Sequence, residues 1–178
     1  FYGRGSILID PGNGVDLLIK AEGGNLDLTG TAVENVATAA QLAAGIAAPG
    51  EPNLERATSG FPGYVDKDFD NTNTYNMTAT ANFEIGEHVL TSITGYSHYD
   101  YKKRLDSDFG AAPLFGSGFA EDFDQFSQEI RLASPTGKTI EYVLGIYAHI
   151  NDYELDGVTF LRFGPYNGST VRNFRQED

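Results

Sequence analysis

The sequence predicts an all-β chain: an antiparallel β-meander with long strands, part of an outer-membrane β-barrel, preceded by an irregular N-terminal segment. Three observations predict it. Residues 75–85 alternate without an error, with Tyr75, Met77, Ala79, Ala81, Phe83 and Ile85 on one side and Asn76, Thr78, Thr80, Asn82 and Glu84 on the other. That period of two marks a strand with one face against an apolar environment. Segments 89–101 and 139–153 are long for strands of a soluble domain, which average about 5–6 residues. The connections between them run short, long, short, as where tight turns lie at one end of a membrane barrel and long loops at the other.

The elements divide the chain into 1–74 and 75–178. The first part is punctuated by turn formers: Pro11-Gly12-Asn13-Gly14, Gly23-Gly24-Asn25, Pro49-Gly50-Glu51-Pro52 and Gly60-Phe61-Pro62-Gly63. Between them lie short strand candidates at 6–10, 15–21 and 26–29, below the about 9–11 residues that a tilted strand needs to cross a bilayer. Residues 32–48 are Ala-rich, with Val33, Val36, Ala40, Ala43, Ala44 and Ala47 near one face of a candidate helix. In the second part, the strand 75–85 turns through Gly86-Glu87-His88 into the strand 89–101. There Val89, Thr91, Ile93, Gly95 and Tyr99 are read against a polar side of Ser92, Thr94, His98 and Asp100, which also carries Leu90 and Tyr96. A polar segment, 102–125, reads as a loop. Strands at 126–134 and 139–153 form the next hairpin through Pro135-Thr136-Gly137-Lys138, and further candidates follow at 157–163 and 169–174. Tyr75, Phe83, Tyr99, Tyr101, Tyr142 and Tyr153 lie near strand ends, where an aromatic girdle is expected.

Composition removes several classes of function. With 25 acidic and 12 basic side chains, the net charge of −13 argues against nucleic acid, whose phosphates demand clustered cations. The absence of cysteine excludes disulfide scaffolds, thiolate metal sites and cysteine nucleophiles. No run approaches the about 18 apolar residues of a membrane helix, which leaves a membrane barrel open because its strands alternate. The chain begins with Phe1 and reads as a piece of a longer protein.

No catalytic site is expected. His88, His98 and His149 lack the spacing of a helical zinc site, and Gly116-Ser117-Gly118 lacks the frame of a nucleophile elbow. Gly3-Arg4-Gly5 is not a phosphate cradle. Asp66, Asp68 and Asp70 alternate as in a calcium loop, but Asn71 and Met77 stand where that loop has its glycine and bidentate glutamate; a solvated acidic turn is the competing reading. On the barrel reading, the lumen-facing candidates are Asn76, Thr78, Thr80, Asn82, Glu84, Ser92, Thr94, His98, Glu129, Arg131, Glu141 and Tyr147. The loop candidates for ligand contact are Asp106, Asp108, Phe115 and Phe119.

Three segments resemble the TonB-dependent outer-membrane receptors, particularly the form common in sphingomonad-type bacteria. They are Leu90-Thr91-Ser92-Ile93-Thr94-Gly95-Tyr96 with Asp106-Ser107-Asp108 downstream, Phe126-Ser127-Gln128-Glu129-Ile130-Arg131-Leu132-Ala133-Ser134, and Glu141-Tyr142-Val143-Leu144-Gly145-Ile146-Tyr147. Their order and spacing are similar to the family's over residues 71–156, while the first 70 residues resemble it only loosely. The resemblance implies a location in the bacterial outer membrane and a barrel of about 22 strands around a plug. It also implies energised import of scarce ligands, such as iron chelates, cobalamin or oligosaccharides, through the TonB system. Its partners would be the rest of the barrel, the plug and outer-membrane lipid. With five or six strands expected, and no segment resembling a plug or a TonB-engaging stretch, transport belongs to the parent protein and not to this piece alone. No enzyme activity and no cofactor are expected. Two other readings stay open: a self-assembling extracellular β protein joined through its strand edges, and a soluble carbohydrate-binding β-sandwich.

Overall fold

Alternating stretches rich in Thr, Tyr, Ile and Val, punctuated by glycines that accept positive φ, set up hairpins rather than helices. The computed structural model describes residues 1–28, 69–107, 115–163 and 165–177, and within them every regular element is a strand. These are β1 (Tyr2–Ile9), β2 (Val15–Leu28), β3 (Phe69–Ile85), β4 (His88–Asp106), β5 (Phe115–Ala133), β6 (Val143–Phe163) and β7 (Tyr166–Glu177). They form one sheet in the order β1-β2-β3-β4-β5-β6-β7, each antiparallel to its neighbours. The expected meander is therefore present. β1 and β7 are its two edges and do not pair with each other, so the described sheet is open.

The strands are longer than the sequence pattern indicates. β4 and β5 have 19 residues each and β6 has 21, and 19 residues at about 3.4 Å per residue extend for about 60 Å. Three local expectations change as a result. The candidates 15–21 and 26–29 are one strand, β2, which runs through Gly23-Gly24 because Tyr75 and Thr74 of β3 lie opposite. The expected loop 102–125 is largely strand: β4 continues to Asp106 and β5 starts at Phe115, held by continuous pairing from Asp106↔Gly116 to Val89↔Ala133. The candidates 139–153 and 157–163 merge into β6 from Val143 onward, and 169–174 extends to β7. The Ala-rich stretch 32–48 lies outside the described residues.

Turn glycines fix the hairpins. Gly12 and Gly14 between β1 and β2, Gly86 between β3 and β4, and Gly137 between β5 and β6 have φ of 75°, 78°, 64° and 76°, values that cost other residues about 1–2 kcal/mol. These three connections share one end of the sheet. The ends at which β2 leads towards β3, β4 towards β5 and β6 towards β7 lie at the other end of the sheet.

Burial is inverted relative to a soluble domain. Among the described residues Phe160 is the one buried large hydrophobic side chain, at 3% exposure. The alternating apolar residues stand in the open: Met77 is 49%, Leu144 62%, Ile146 72% and Ile150 64% exposed. The polar neighbours of Met77, Asn76 and Thr78, are half-buried, whereas both faces of β6 from Val143 to Ile150 are exposed.

Candidate functional site

In an antiparallel ladder, directly opposed residues point to the same side of the sheet, so the register sorts every side chain to a face. Met77 lies opposite Tyr96, which lies opposite Phe126, which lies opposite Ile150. Phe83 lies opposite Val15 and Leu90, and Leu90 leads through Leu132 to Leu144. The lower parts of β2 to β6 therefore carry one apolar face, with Leu17, Ile19, Ala79, Ala81, Ile130 and Ile146 between those rows. Tyr75 to Ile85 is ten steps of β3, which at about 3.4 Å per residue and a tilt near 40° spans about 25 Å. Tyr75, Tyr96 and Phe126 border this band at its upper edge. Phe83 and Tyr142 border it below, and the Tyr142 hydroxyl lies 3.0 Å from His88 Nε2.

The opposite face is polar. Asn76, Thr78, Thr80, Asn82 and Glu84 share it with Glu129, Arg131 and Tyr147. Cross-strand hydrogen bonds tie it together: Asn82 Nδ2 donates to Asp16 Oδ1 at 2.9 Å, Thr91 Oγ1 to Asn82 Oδ1 at 2.8 Å, and Ser97 Oγ to Asn76 Oδ1 at 2.6 Å. Four expected members are misplaced. Ser92, Thr94 and His98 lie opposite Ala81, Ala79 and Tyr75, on the apolar side. The reason is the two-residue turn, which pairs Ile85 with His88 and so assigns the even-numbered residues of β4 to the apolar face. Ile93 correspondingly joins Thr80 on the polar face. Ser92 and Thr94 are accommodated by Gln128, which donates to Ser92 Oγ at 3.0 Å and accepts from Thr94 Oγ1 at 2.7 Å. Glu141 precedes β6 and accepts the Gly137 N–H at 2.6 Å within the connection. Of the expected girdle, Tyr75, Phe83 and Tyr142 share the apolar face, while Tyr99, Tyr101 and Tyr153 line the polar one.

Beyond Tyr96 the formerly apolar face becomes acidic. One row places Asp100, Asp122 and Glu154 directly opposite one another, and the row before it places His98, Asp124, Asp152 and Glu177. Like charges in such positions repel. Arg175 answers part of this, with its guanidinium 2.9 Å from Asp152, 3.0 Å from Glu154 and 2.7 Å from Glu177. His98 Nδ1 lies 3.1 Å from Asp124 Oδ1, and its ring stacks on Tyr75 at 6.0 Å. His98, Asp122 and Asp124 offer donors within 4.8 Å of one another, one group among the described residues with the chemistry to hold a metal. The sequence shows no motif for it, because its members come from two strands joined only by register. The calcium candidate fares differently. Asp66 and Asp68 lie outside the described residues, and Asp70 receives Lys103 Nζ at 3.1 Å and the Tyr101 hydroxyl at 3.4 Å.

Of the loop candidates for ligand contact, Asp106 ends β4, Phe115 begins β5, and Phe119 is an exposed residue within β5. Asp108 lies outside the described residues. No protein-family model, curated protein or solved structure matches this chain.

Proposed function

We propose that this sheet is a section of the wall of an outer-membrane β-barrel, with its apolar face to lipid and its polar face to the lumen. We further propose that the parent protein is a receptor of the TonB-dependent type that imports a scarce ligand such as an iron chelate, cobalamin or an oligosaccharide. One observation carries the wall reading: the register aligns the apolar residues of β2 to β6, exposed or half-buried, into one band about 25 Å deep, the height of an outer-membrane barrel's lipid belt. A soluble sheet would cover that band with a second layer, and all seven described strands belong to one sheet. Strand lengths of 17 to 21 residues in β3 to β6 exceed the crossing length and would carry the wall past the membrane surface. The receptor assignment rests on the resemblance of the three strand segments.

Because the sequence contains no cysteine, single-cysteine variants within the complete gene product give a clean test. At Met77 and Ile146 a spin label is expected to report lipid. At Thr78 and Tyr147 it is expected to report water. Labels at all four positions reporting a protein interior would refute the wall. For the receptor, loss of uptake of one of the named ligands on deletion of the gene is the corresponding test.

A second reading follows from the two open edges, β1 and β7, which offer unpaired backbone groups to further strands. It predicts fibres by electron microscopy without detergent, where the wall reading predicts a detergent-dependent particle.

A further inference from the structure

The chain contains two Asn-Gly steps, Asn13-Gly14 and Asn167-Gly168, and the fold treats them differently. The second lies inside β7, where Asn167 and Gly168 pair with Arg162 and Leu161 of β6 and are held extended. The first lies in the turn between β1 and β2, outside any strand. There Asn13 is exposed. Neither its carboxamide nor the Gly14 N–H makes a hydrogen bond among the described residues. The turn is tied down on either side instead: Gly12 N donates to Asp10 Oδ1 at 2.8 Å, and Gly14 O accepts from Glu84 N at 2.7 Å.

An asparagine followed by glycine is open to attack by its own backbone, because glycine puts no Cβ in the way of the reacting nitrogen. At position 14 the turn itself calls for glycine. The φ there is 78°, and Glu84 Cβ and Oε2 each lie 3.1 Å from where a Cβ would stand. The hairpin thus imposes the residue that leaves Asn13 reactive. Strand pairing does the opposite at Asn167: closing a five-membered ring onto the Gly168 nitrogen needs a bent backbone, so β7 must first open locally.

We propose that Asn13 is a site of covalent modification, by spontaneous deamidation to isoaspartate or aspartate. The Gly14 nitrogen gives its proton to hydroxide and bonds to Asn13 Cγ; the Cγ–Nδ2 bond then breaks, and ammonia leaves with a proton from water. Water opens the resulting succinimide. Cleavage of the new bond to Cγ gives aspartate. Cleavage between the Gly14 nitrogen and the Asn13 carbonyl carbon gives isoaspartate, with one extra carbon in the main chain. The net change converts asparagine and water to a carboxylate and ammonium. Either product adds a negative charge to a turn that already carries Asp10, Asp16 and Glu84. Isoaspartate also lengthens a connection whose strands pair from Ile9↔Leu17 onward. Among the described strands β1 pairs with β2 alone, so the loosening falls on that edge. The reaction needs only water at the turn, whichever medium the faces of the sheet meet.

The test keeps the folded chain in non-ionic detergent at mildly alkaline pH in heavy-oxygen water, with samples taken over time for mass spectrometry. Trypsin separates the two steps into peptides 5–20 and 163–172, each with a single asparagine. Heavy oxygen is expected to enter 5–20 at least about tenfold faster than 163–172, because only the second requires a strand to open. In urea the two rates are expected to converge. Isoaspartyl methyltransferase is expected to label 5–20 from the aged chain. The aged chain is also expected to exchange its β1 amides faster than N13D, which carries the charge without the extra backbone carbon. Because the two peptides come from one chain, the central comparison needs no variant to fold. N13Q, which retains an amide but closes the ring poorly, is expected to slow labelling of 5–20 to the rate of 163–172 or below. Folded-state labelling of 5–20 no faster than 163–172, or labelling of 5–20 undiminished in N13Q, would each overturn the proposal.

Discussion

Ile85 pairs with His88 across the two-residue turn Gly86-Glu87, and that pairing decides which side of the sheet each residue of β4 faces. Gly86 holds the turn at φ 64°, with nothing near the position a Cβ would take. Space is therefore available and conformation is the only obstacle. G86V is expected to destabilise the hairpin by about 1–2 kcal/mol, read as a lower urea midpoint for unfolding in detergent. Inserting one glycine beside Glu87 is expected to do more, because a one-residue slip would move Leu90 and Tyr96 to the polar face.

The same pairing explains what the sequence reveals and what it hides. β3 is legible because its two faces differ at every position from Tyr75 to Ile85. β4 is not, because Val89, Ile93 and Tyr99 on one side match Leu90 and Tyr96 on the other, so alternation identifies a strand without orienting it. Counting across the two-residue turn would have oriented it. The upper half of β5 is hidden for another reason: Gly116-Ser117-Gly118 and the acids from Glu121 to Asp124 are poor strand formers, and they are held extended by β4 and β6 on either side. The His98, Asp122 and Asp124 group exists only through that register, so it leaves no local motif.

Ile146 and Tyr147 are sequence neighbours on opposite faces, which makes them a matched pair for testing the wall. An arginine at a lipid-facing midplane position costs about 2–4 kcal/mol, whereas a lumen position tolerates it. I146R is expected to lose folded protein from the outer membrane by about that amount, while Y147R inserts normally. Heat-modifiable migration of the complete gene product measures both. Equal behaviour of the two variants would contradict the lipid assignment.

Lys103 joins β4 to Asp70 at the start of β3, with side chains 24% and 19% exposed and the Tyr101 hydroxyl on the same carboxylate. A half-buried, hydrogen-bonded charge pair is worth more than a surface one, and removing the cation leaves Asp70 with one neutral donor. K103M is expected to cost about 1–3 kcal/mol, and the double variant K103M/D70N less than the sum of the two single changes. Additive losses would show that the two side chains do not interact.

Arg175 contacts three carboxylates at once on the edge strand β7. Replacing it with alanine leaves Asp152 directly opposite Glu177 and beside Glu154 without their cation. R175A is expected to speed amide exchange along β7, more at low ionic strength than at high, because salt screens exposed charges. An effect independent of salt would point to lost packing by the arginine stem instead.

Phe160 owes its burial to Gly116 on the neighbouring strand. A Cβ at residue 116 would overlap the Phe160 ring, and the two residues are direct partners across β5 and β6. Because Gly116 itself adopts ordinary strand geometry and not a positive φ, the constraint comes from the ring and not from the backbone. G116A is therefore expected to cost about 1–3 kcal/mol, the usual range for overpacking. Shrinking the ring should relieve it: F160L alone loses packing, but G116A/F160L is expected to be more stable than the sum of the single losses predicts. Urea unfolding of the four proteins completes the cycle, and a coupling of zero would mean that backbone entropy, not the ring, dictates glycine at position 116.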